Sequence, residues 1–408
     1  MYDFVVKNAR LRNVEDTVNI AVQNGVIAEI SRENLRGETE VDAEGNLITE
    51  PFVNPHLHLC KAYTFEMIGD SALSLYQGPN MLQAAEAIEV ASAVKKSYKE
   101  DWIVNNAKKA LVEAVKHGCL YVRAFVDTDT LARLTAVKAI LTVKKMFSGL
   151  VDLQVVAFPQ EGVVKDPGAE EMVWKAVEMG CDIVGGIPWI EMSENDSRRH
   201  IEKMFEIAKT HNRDVAMLTD DAGNANLHTT EQLASKTIEE NLQNRVTAHH
   251  ARALSLYPED TLRSVIDLLK RAGLHIVSNP HTGPLHAPVK KLLENGVNVA
   301  LGQDDLSDAY YPFGRNKMTE IAFMTCHLLR MMTKRDIETV FDMITVRPAK
   351  AMRIDGYGLK KGGVADFLIL DAKSVYDAVW NQADPIFVFR RGKKVLERTE
   401  SVNFHFMV

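Results

Sequence analysis

Eight short apolar runs, each followed by helical sequence, constrain the fold of this chain more than any other feature. The intervening stretches are amphipathic, as in 101–117, where apolar residues recur at helical spacing. Continuous Val, Ile and Leu residues are typical of strands covered on both faces, which predicts a parallel sheet. Eight such units over about 300 residues predict an α/β fold, a (β/α)8 TIM-type barrel, with a doubly wound open sheet as the alternative. The predicted strands span residues 51–58, 119–127, 151–158, 181–188, 214–219, 245–250, 274–279 and 297–303.

Both ends of the chain differ from this alternating middle. Residues 1–50 contain short strand-like runs, and Asn24-Gly25 is placed as a hairpin turn between two of them. Residues 355–408 have the same character, with a buried run after Gly362-Gly363 and a strand, a turn and a strand over 386–397. We predict that the two ends pair into one small β-sandwich domain. Residues 51–354 are then the barrel and the catalytic domain.

The first predicted barrel strand ends in two histidines. In PFVNPHLHLC, His56 and His58 stand one residue apart, and because side chains alternate along a strand, both imidazoles point the same way. Active sites of such barrels lie at the C-terminal ends of the strands, where two imidazoles supply half of the ligands of a divalent metal ion. Other polar residues close the later runs, and burying so many is costly without a purpose. They are Cys60, Lys61, Arg123, Asp127, Gln160, Glu161, Trp189, Glu191, Asp220, Asp221, His249, His250, Asn279, His281, Asp304, Asp305 and Asp308.

Five longer motifs run through the chain: NPHLHL, VAFPQEG, VTAHH, GQDDLSDAYYPFG and KKGGVADFLIL. Together they resemble the amidohydrolase superfamily, and within it the group of cytosine deaminase and N-isopropylammelide amidohydrolase. The resemblance covers nearly the whole chain, including the split sandwich. It implies a cytosine-deaminase-like hydrolase that acts on a non-peptide carbon–nitrogen bond. The implied substrate is a small cyclic amide or amidine, such as a pyrimidine or a triazine, attacked by metal-activated water.

The same resemblance implies roles for the catalytic residues. His56, His58 and Asp304 match the metal ligands, and Asp304 also takes a proton from the attacking water. His250 matches the histidine that assists the attack on the ring carbon. Asp221 stands where the deaminases carry a glutamate that protonates the ring nitrogen. The chemistry needs these residue types, because one carboxylate removes a proton from water and another carboxyl group supplies one to the ring.

Three further residues are predicted to bind a small heterocyclic substrate. Gln160 matches the glutamine that hydrogen-bonds the ring amide in this group. Lys61 and Trp189 close the first and fourth barrel strands, and we predict that they line the same pocket. There the lysine contacts a carbonyl or carboxylate group of the substrate.

Three positions depart from the pattern of this group. Leu218 stands where strand five supplies the third metal histidine, Phe125 where close relatives read R-T-H-V-D, and Cys60 where an aspartate usually follows the histidine pair. A catalytic divalent metal usually takes three protein ligands and a water. We therefore predict an altered site that holds one divalent metal, zinc or iron, more weakly than in the relatives. Its predicted ligands are His56, His58 and Asp304.

Alternatives to this metal site remain open at the level of sequence. His250 or Asp220 is a further candidate ligand if the metal is retained. If the metal is lost, a repurposed metal-independent enzyme acts on a more apolar ligand, and Cys60 is a candidate nucleophile provided that its pKa is lowered. A non-catalytic ligand-binding homologue is the third possibility.

Charge and cysteine content limit the partners and the location of the protein. A net charge of −7 and a pI of about 6.0 argue against a nucleic-acid-binding surface. No apolar run reaches the ~18 residues of a membrane span, and the N-terminus lacks the pattern of a secretory signal. The four cysteines show neither metal nor disulfide spacing, which is typical of a reducing compartment. We predict a cytoplasmic homo-oligomer without nucleic-acid or membrane partners.

Overall fold

The structure is a computed structural model that describes residues 1–78, 80–399, 401 and 405. Its strands are β1 (Tyr2–Arg10), β2 (Thr17–Gln23), β3 (Val26–Ser31), β4 (Gly37–Asp42), β5 (Ile48–Thr49), β6 (Phe52–Leu57), β7 (Cys119–Asp127), β8 (Asp152–Phe158), β9 (Ile183–Gly186), β10 (Asp214–Thr219), β11 (Val246–His250), β12 (His275–Ser278), β13 (Val299–Leu301), β14 (Phe367–Leu370), β15 (Pro385–Arg390) and β16 (Lys393–Glu397).

The helices are α1 (Phe65–Ile68), α2 (Ser71–Tyr76), α3 (Ala84–Ala91), α4 (Glu100–Lys116), α5 (Thr135–Met146), α6 (Ala169–Glu178), α7 (Glu194–Thr210), α8 (Thr229–Glu239), α9 (Glu259–Ala272), α10 (Val289–Glu294), α11 (Met318–Leu328), α12 (Lys334–Asp342), α13 (Val346–Ala351) and α14 (Val375–Trp380). Within the described part of the chain, none of these helices has the length and apolar composition that crossing a membrane requires. The chain divides into two compact units, one of Met1–Pro51, Val115–Gly118 and Asp355–Val408 and one of Phe52–Ala114 and Cys119–Ile354.

Two four-stranded sheets make up the first unit. One has the strand order β3-β2-β1-β4 and the other the order β16-β15-β14-β5. Apolar side chains of both sheets, among them Phe4, Phe367 and Phe389, are buried in one core. Asn24 and Gly25 join β2 to β3 with φ of 53° and 74°, and a type I′ hairpin turn requires positive φ at both of these positions. The β-sandwich predicted from the two chain ends, and its first turn, are confirmed.

Eight parallel strands, β6 to β13 in sequence order, form the sheet of the second unit. Strands such as β7 and β11 are buried along their whole length, as expected for a sheet covered on both faces. The last strand returns to the first at what we call the seam. There the N–H of His58 donates to the carbonyl of Asp304 (2.8 Å), and the N–H of Asp304 donates to the carbonyl of His56 (2.9 Å). The predicted (β/α)8 barrel is confirmed, and the open-sheet alternative is wrong.

A segment between β6 and α4, residues 65–91, forms the short helices α1 to α3, which the sequence did not predict. Tyr76 and Ile88 of this segment are buried in one apolar cluster with Phe125 and Leu218 of the barrel strands. The side-chain amide of Gln77 donates to the carbonyl of Thr282, at 2.9 Å. The segment therefore packs over the C-terminal ends of the strands, where the predicted site lies.

Candidate active site

The seam brings two histidines and an aspartate together. Nε2 of His56 lies 3.1 Å from Oδ1 of Asp304, and Nε2 of His58 lies 3.8 Å from the same oxygen. The two Nε2 atoms are 3.3 Å apart. Asp304 has φ of 71°, a left-handed conformation that is uncommon for residues other than glycine and that Asp adopts more readily than most. The backbone pairing of the seam thus fixes the spacing of all three side chains.

The end of β11 contributes two histidines that do different things. Nδ1 of His249 lies 2.6 Å from Nδ1 of His56, and its other nitrogen lies 3.0 Å from the hydroxyl of Thr247. His249 therefore holds the back of the His56 ring and leaves Nε2 of His56 toward the seam. His250 has φ of 68° and places Nε2 3.9 Å from Oδ1 of Asp304.

A buried guanidinium determines which nitrogen of His250 carries the proton. Nη2 of Arg252 lies 3.3 Å from Nδ1 of His250. A guanidinium only donates, so Nδ1 is the acceptor and the neutral ring carries its proton on Nε2. Such a ring donates a hydrogen bond from Nε2 and does not ligate a metal through it. In this tautomer His250 is arranged as a donor beside Asp304. His56, His250 and Asp304 also lie close enough together to hold a metal ion, so His250 as an additional ligand stays an alternative.

The predicted proton donor is held in an ionic pair. Oδ1 of Asp221 accepts from Nε of Arg252 at 2.5 Å, and Oδ2 accepts from the hydroxyl of Tyr76 at 3.1 Å. Burial raises the pKa of Asp221 to about 6, against the opposing effect of Arg252. A carboxyl group with such a pKa can gain and lose a proton near neutral pH, which is the property that acid–base catalysis needs.

Gln160 is oriented by two neighbours. Its Oε1 accepts from Nζ of Lys61, and its Nε2 donates to the hydroxyl of Tyr310 at 3.0 Å. Lys61 also lies 3.4 Å from Asp127, and although burial lowers the pKa of Lys61, the charge of Asp127 raises it above its usual value. The lysine is thus a buried cation that fixes the amide group of Gln160, with Nε2 directed away from it.

These residues surround a small cavity. Its wall has a polar part with the histidines and acids, and an aliphatic part made by Ile88, Ile187 and Leu218. Among the described residues, the lining includes Gln160 but neither Lys61 nor Trp189. The lining residues are His58, Tyr76, Ile88, Gln160, Ile187, Leu218, Asp221, His250, Asp304, Asp305 and Tyr310.

Burial and neighbouring charges set the protonation states in this cavity. Burial lowers the pKa of His58 and of His250 well below the usual value, so both rings are neutral at neutral pH. Burial also acts to raise the pKa of Asp304, but His250 and His56 together hold it well below its usual range. Burial and the charge of Asp304 raise the pKa of Asp305 well above its usual range. Neutral imidazoles beside one ionised carboxylate are the forms in which these groups bind metals.

Comparison with known proteins assigns the chain to a family. The model of the Amidohydrolase family matches residues 39–386.

The chain belongs to the amidohydrolase family.

Individual relatives agree with this assignment. N-isopropylammelide isopropyl amidohydrolase of Pseudomonas sp. (strain ADP) is 31% identical over 399 residues, which cover 97% of this chain and 98% of that protein. The crystal structure of 5-methylcytosine deaminase from Klebsiella pneumoniae liganded with phosphonocytosine has a TM-score of 0.90 at 30% identity, covering 98% of this chain and 100% of that one. N-isopropylammelide isopropylaminohydrolase from Burkholderia multivorans shares the fold, with a TM-score of 0.84 at 23% identity over 97% of this chain and 98% of that one. The predicted family and the predicted enzyme class, a hydrolase of non-peptide carbon–nitrogen bonds, are confirmed.

The residues at the seam of this amidohydrolase fit the divalent metal that the family implies. Bonds of about 2.1 Å in tetrahedral geometry place neighbouring ligand atoms about 3.4 Å apart. The three separations among Nε2 of His56, Nε2 of His58 and Oδ1 of Asp304 are 3.1, 3.3 and 3.8 Å. Nδ1 of His56 is hydrogen-bonded behind the site, as metal-ligating histidines usually are. The three residues thus form a buried His/His/Asp cluster that can hold one ion.

The three departures from the family pattern are all buried beside this cluster. Leu218 lines the cavity, and the ring of Phe125 stacks on that of His56 with centroids 4.5 Å apart and an interplanar angle of 21°. Burial raises the pKa of Cys60 to about 12. A thiol with that pKa stays protonated at neutral pH, so the lowered pKa that a nucleophilic Cys60 requires is not found here.

Asp220 has a structural task. Its Oδ1 accepts from the N–H of Thr229 at 2.8 Å, and its Oδ2 accepts from the N–H of Thr230 at 3.0 Å. Both groups belong to the first turn of α8, where N–H groups lack partners within the helix. Among the described residues, Asp220 also belongs to neither cluster that could hold a metal ion, so the structure gives no support to Asp220 as a ligand.

Two of the predicted substrate-binding residues lie behind the cavity wall, and three lining or supporting residues were missed. Trp189 packs in the apolar cluster with Phe125 and Leu218. Tyr310 lies within the quoted motif GQDDLSDAYYPFG and could have been found there. Arg252 lies two residues after the motif VTAHH and is buried. Its position beside this motif is a signal that could have identified it. Tyr76 gives no signal in the sequence, because it lies in a helix of only 6 residues, too short to show a periodic pattern.

Proposed function

We propose that this amidohydrolase hydrolyses a carbon–nitrogen bond of a single-ring cyclic amide or amidine and releases ammonia or an amine. The observation that carries the proposal is the arrangement of four side chains around one cavity. Two are the neutral imidazoles of His58 and His250, one is the ionised carboxylate of Asp304, and one is the carboxyl group of Asp221, whose pKa is about 6. Attack by water and protonation of the leaving nitrogen need one proton acceptor and one proton donor. Asp304 and Asp221 supply these two functions.

We propose that His56, His58 and Asp304 hold one divalent metal ion, zinc or iron. Imidazole and carboxylate ligands suit both metals. A metal bound there supplies Lewis-acid activation of a water molecule. Leu218 stands at the strand-five position that the family pattern gives to a further histidine, and we infer weaker metal binding than in relatives that keep it.

The proton transfers belong to residues of the chain. Oδ2 of Asp304 accepts from the hydroxyl of Thr282 at 2.7 Å, which orients the carboxylate that accepts the proton of the attacking water. His250 donates from Nε2 to the oxygen that attacks the ring carbon. Asp221 delivers a proton to the ring nitrogen and recovers one afterwards, which its pKa of about 6 permits.

Gln160 orients the ring. Because Lys61 occupies its Oε1, only N–H groups of the amide remain for the substrate. One N–H donates to Tyr310, and the other is available to a carbonyl oxygen or an unprotonated ring nitrogen. We propose that Lys61 contributes to binding through Gln160, and that the packing of Trp189 supports the wall rather than contacting the substrate.

The lining of the cavity favours a ring with an aliphatic substituent. Ile88, Ile187 and Leu218 give an alkyl group a surface to bury, worth about 0.8 kcal/mol per methylene. The relatives named for N-isopropylammelide and for 5-methylcytosine act on rings that carry such groups.

Release of ammonia or amine from a panel of rings tests the proposal. The panel comprises cytosine, 5-methylcytosine, isocytosine, ammelide and N-isopropylammelide, each with zinc or ferrous iron supplied. We expect turnover of at least one member. We also expect kcat/KM to be roughly tenfold higher for 5-methylcytosine than for cytosine, or for N-isopropylammelide than for ammelide. Silence across the panel with a metal-loaded protein would overturn the proposed function.

A second candidate is metal-independent hydrolysis of a more apolar ligand, favoured by the packing of Phe125 against His56. Elemental analysis of protein purified without chelator, followed by assay in the presence of a chelator, separates the two candidates. Turnover that persists after metal removal supports the second candidate. Loss of turnover that returns with added zinc or iron supports the first.

We propose in addition that the protein works in the cytoplasm as a homo-oligomer, with residues 51–354 as the catalytic domain. All four cysteines are buried free thiols, as expected in a reducing compartment. Leu328 at the end of α11 and Met332 just after it are 50% and 49% exposed, and such apolar side chains are commonly covered by a second subunit. Light scattering coupled to size-exclusion chromatography measures the subunit number, and a monomer at micromolar concentration would contradict the oligomer.

A further inference from the structure

Arg252 is a fully buried guanidinium at the start of a 3-10 turn that follows β11, and it is 1% exposed. Its donors are distributed over several elements. Nε donates to Asp221 at 2.5 Å, and Nη2 donates to the hydroxyl of Thr282 at 2.9 Å. Nη1 donates to the carbonyl of Leu285. Burying a charge is costly unless the charge is paired and hydrogen-bonded, and these partners meet that requirement.

Arg252 links the two acids that the reaction needs. It bonds Asp221 directly, and through Thr282 it reaches Asp304, because the hydroxyl of Thr282 donates to Oδ2 of Asp304 at 2.7 Å. The hydroxyl of Tyr76, which donates to Asp221, lies 3.3 Å from Nη2 of Arg252. One rigid planar group thus controls the separation of the two carboxylates.

The chain also leaves room for this group. A side chain at Gly283 would place its Cβ 3.1 Å from Nη1 and 3.4 Å from Cζ of Arg252. It would also lie 3.2 Å from Sδ of Met81. The distances to Nη1 and to Sδ are closer than ordinary van der Waals contact, so a side chain at this position requires the guanidinium or Met81 to shift by a few tenths of an ångström. Glycine at position 283 thus leaves Arg252 its present place.

We propose that Arg252 is a positioning residue that fixes Asp221 and Asp304 at the separation required for the two proton transfers. The proposal rests on the proposed function of the site. A lysine cannot take over this role, because an ammonium group is a point charge on a flexible stem and cannot donate in one plane to three partners. Misplacing a reacting group by about 1 Å costs on the order of 10²-fold in rate.

The test compares Arg252→Lys, Arg252→Ala and Gly283→Ala with the wild-type protein, using the panel member that the wild type turns over. We expect Arg252→Lys to lower kcat by about 10²-fold while KM changes by less than about threefold. Millimolar guanidinium should restore part of the kcat of Arg252→Ala, and millimolar ammonium should not. For Gly283→Ala we expect a smaller fall in kcat, on the order of three- to tenfold, because the guanidinium moves by only a few tenths of an ångström.

Arg390→Gln is the matched control, because Arg390 is 2% exposed, pairs with Asp366 and belongs to the other unit. It should lower the unfolding temperature without changing kcat, and metal content measured on every variant should equal that of the wild type. Full kcat in Arg252→Lys, or a loss that guanidinium does not restore and that only parallels thermal stability, would overturn the positioning role. A metal-loaded wild type that turns over no panel member overturns the proposed function, and the positioning role with it.

Discussion

The polar and the aliphatic halves of the cavity wall are built in different ways. On the polar half, several functional side chains are held by hydrogen bonds behind them, as His249 holds His56 and Thr282 holds Asp304. On the aliphatic half, Leu218 and Ile187 are held by close packing in an apolar cluster. Hydrogen bonds fix direction, whereas packing fixes only volume. Substitution should therefore affect chemistry on the first half, and stability or substrate preference on the second.

The largest expected effect is on the polar half. Asp304→Asn removes the proton acceptor at the seam, and we expect kcat to fall by about 10³- to 10⁴-fold, which corresponds to roughly 4–5 kcal/mol. Asp220→Asn is the control, because Asp220 is an equally buried acid that serves only the first turn of α8. Steady-state rates of both variants decide the matter, and a fully active Asp304→Asn protein would remove the basis of the proposed mechanism.

Next in size is the cost of removing an aromatic ring from beneath the histidines. Phe125 is fully buried and stacks on His56, so we expect Phe125→Ala to lower the free energy of unfolding by about 3–4 kcal/mol. Phe313, which is 67% exposed, provides the control, and Phe313→Ala should cost less than about 0.5 kcal/mol. Urea denaturation measures both. Equal costs at the two positions would contradict close packing of the apolar cluster that contains Phe125 and Leu218.

A third substitution exchanges the character of the two halves. Leu218→His places an imidazole at the strand-five position, and we expect metal affinity to rise by roughly tenfold because the ion gains a ligand. The same change removes part of the aliphatic wall, so the preference for alkylated rings should shrink. Leu218→Asn is the control for polarity without an imidazole. Competition with a chelating dye measures the affinity, and the same affinity in both variants would show that position 218 does not reach the ion.

The smallest effect concerns a neighbour of the polar half that takes no part in chemistry. Asp220→Ala removes the carboxylate that caps α8, and we expect a loss of about 1 kcal/mol in the free energy of unfolding. The kcat should stay at the wild-type value. A large fall in kcat would mean that the backbone of Asp220, which has φ of 49°, transmits a shift to Asp221.

The barrel and the seam residues could be predicted because their signals are local in the sequence. Continuous apolar runs marked the strands, and an H-x-H pair at a strand end implies two imidazoles on one face. Arg252 escaped prediction for a physical reason, since its importance comes from partners 30 or more positions away, such as Asp221 and Thr282. The sequence predicts a substrate contact for Lys61 because it does not show which buried groups the side chain will bond. In the structure, Nζ of Lys61 bonds Gln160 and lies near Asp127. Of the helices of residues 65–91, α1 and α2 have only 4 and 6 residues, too few to show a period. The third, α3, does bury Ala84, Ala87, Ile88 and Ala91 at helical spacing, and this pattern could have revealed it.

The pairing of first and last strands at His56, His58 and Asp304 has a consequence for how the protein fails. The backbone hydrogen bonds that close the barrel belong to the same residues that we assign to the reaction. Any break in these bonds therefore moves the reacting side chains directly. On heating, separation of these two strands should abolish activity at a lower temperature than that at which the rest of the barrel unfolds. A cut or new terminus introduced there would also be far less tolerated than one between any other two neighbouring strands.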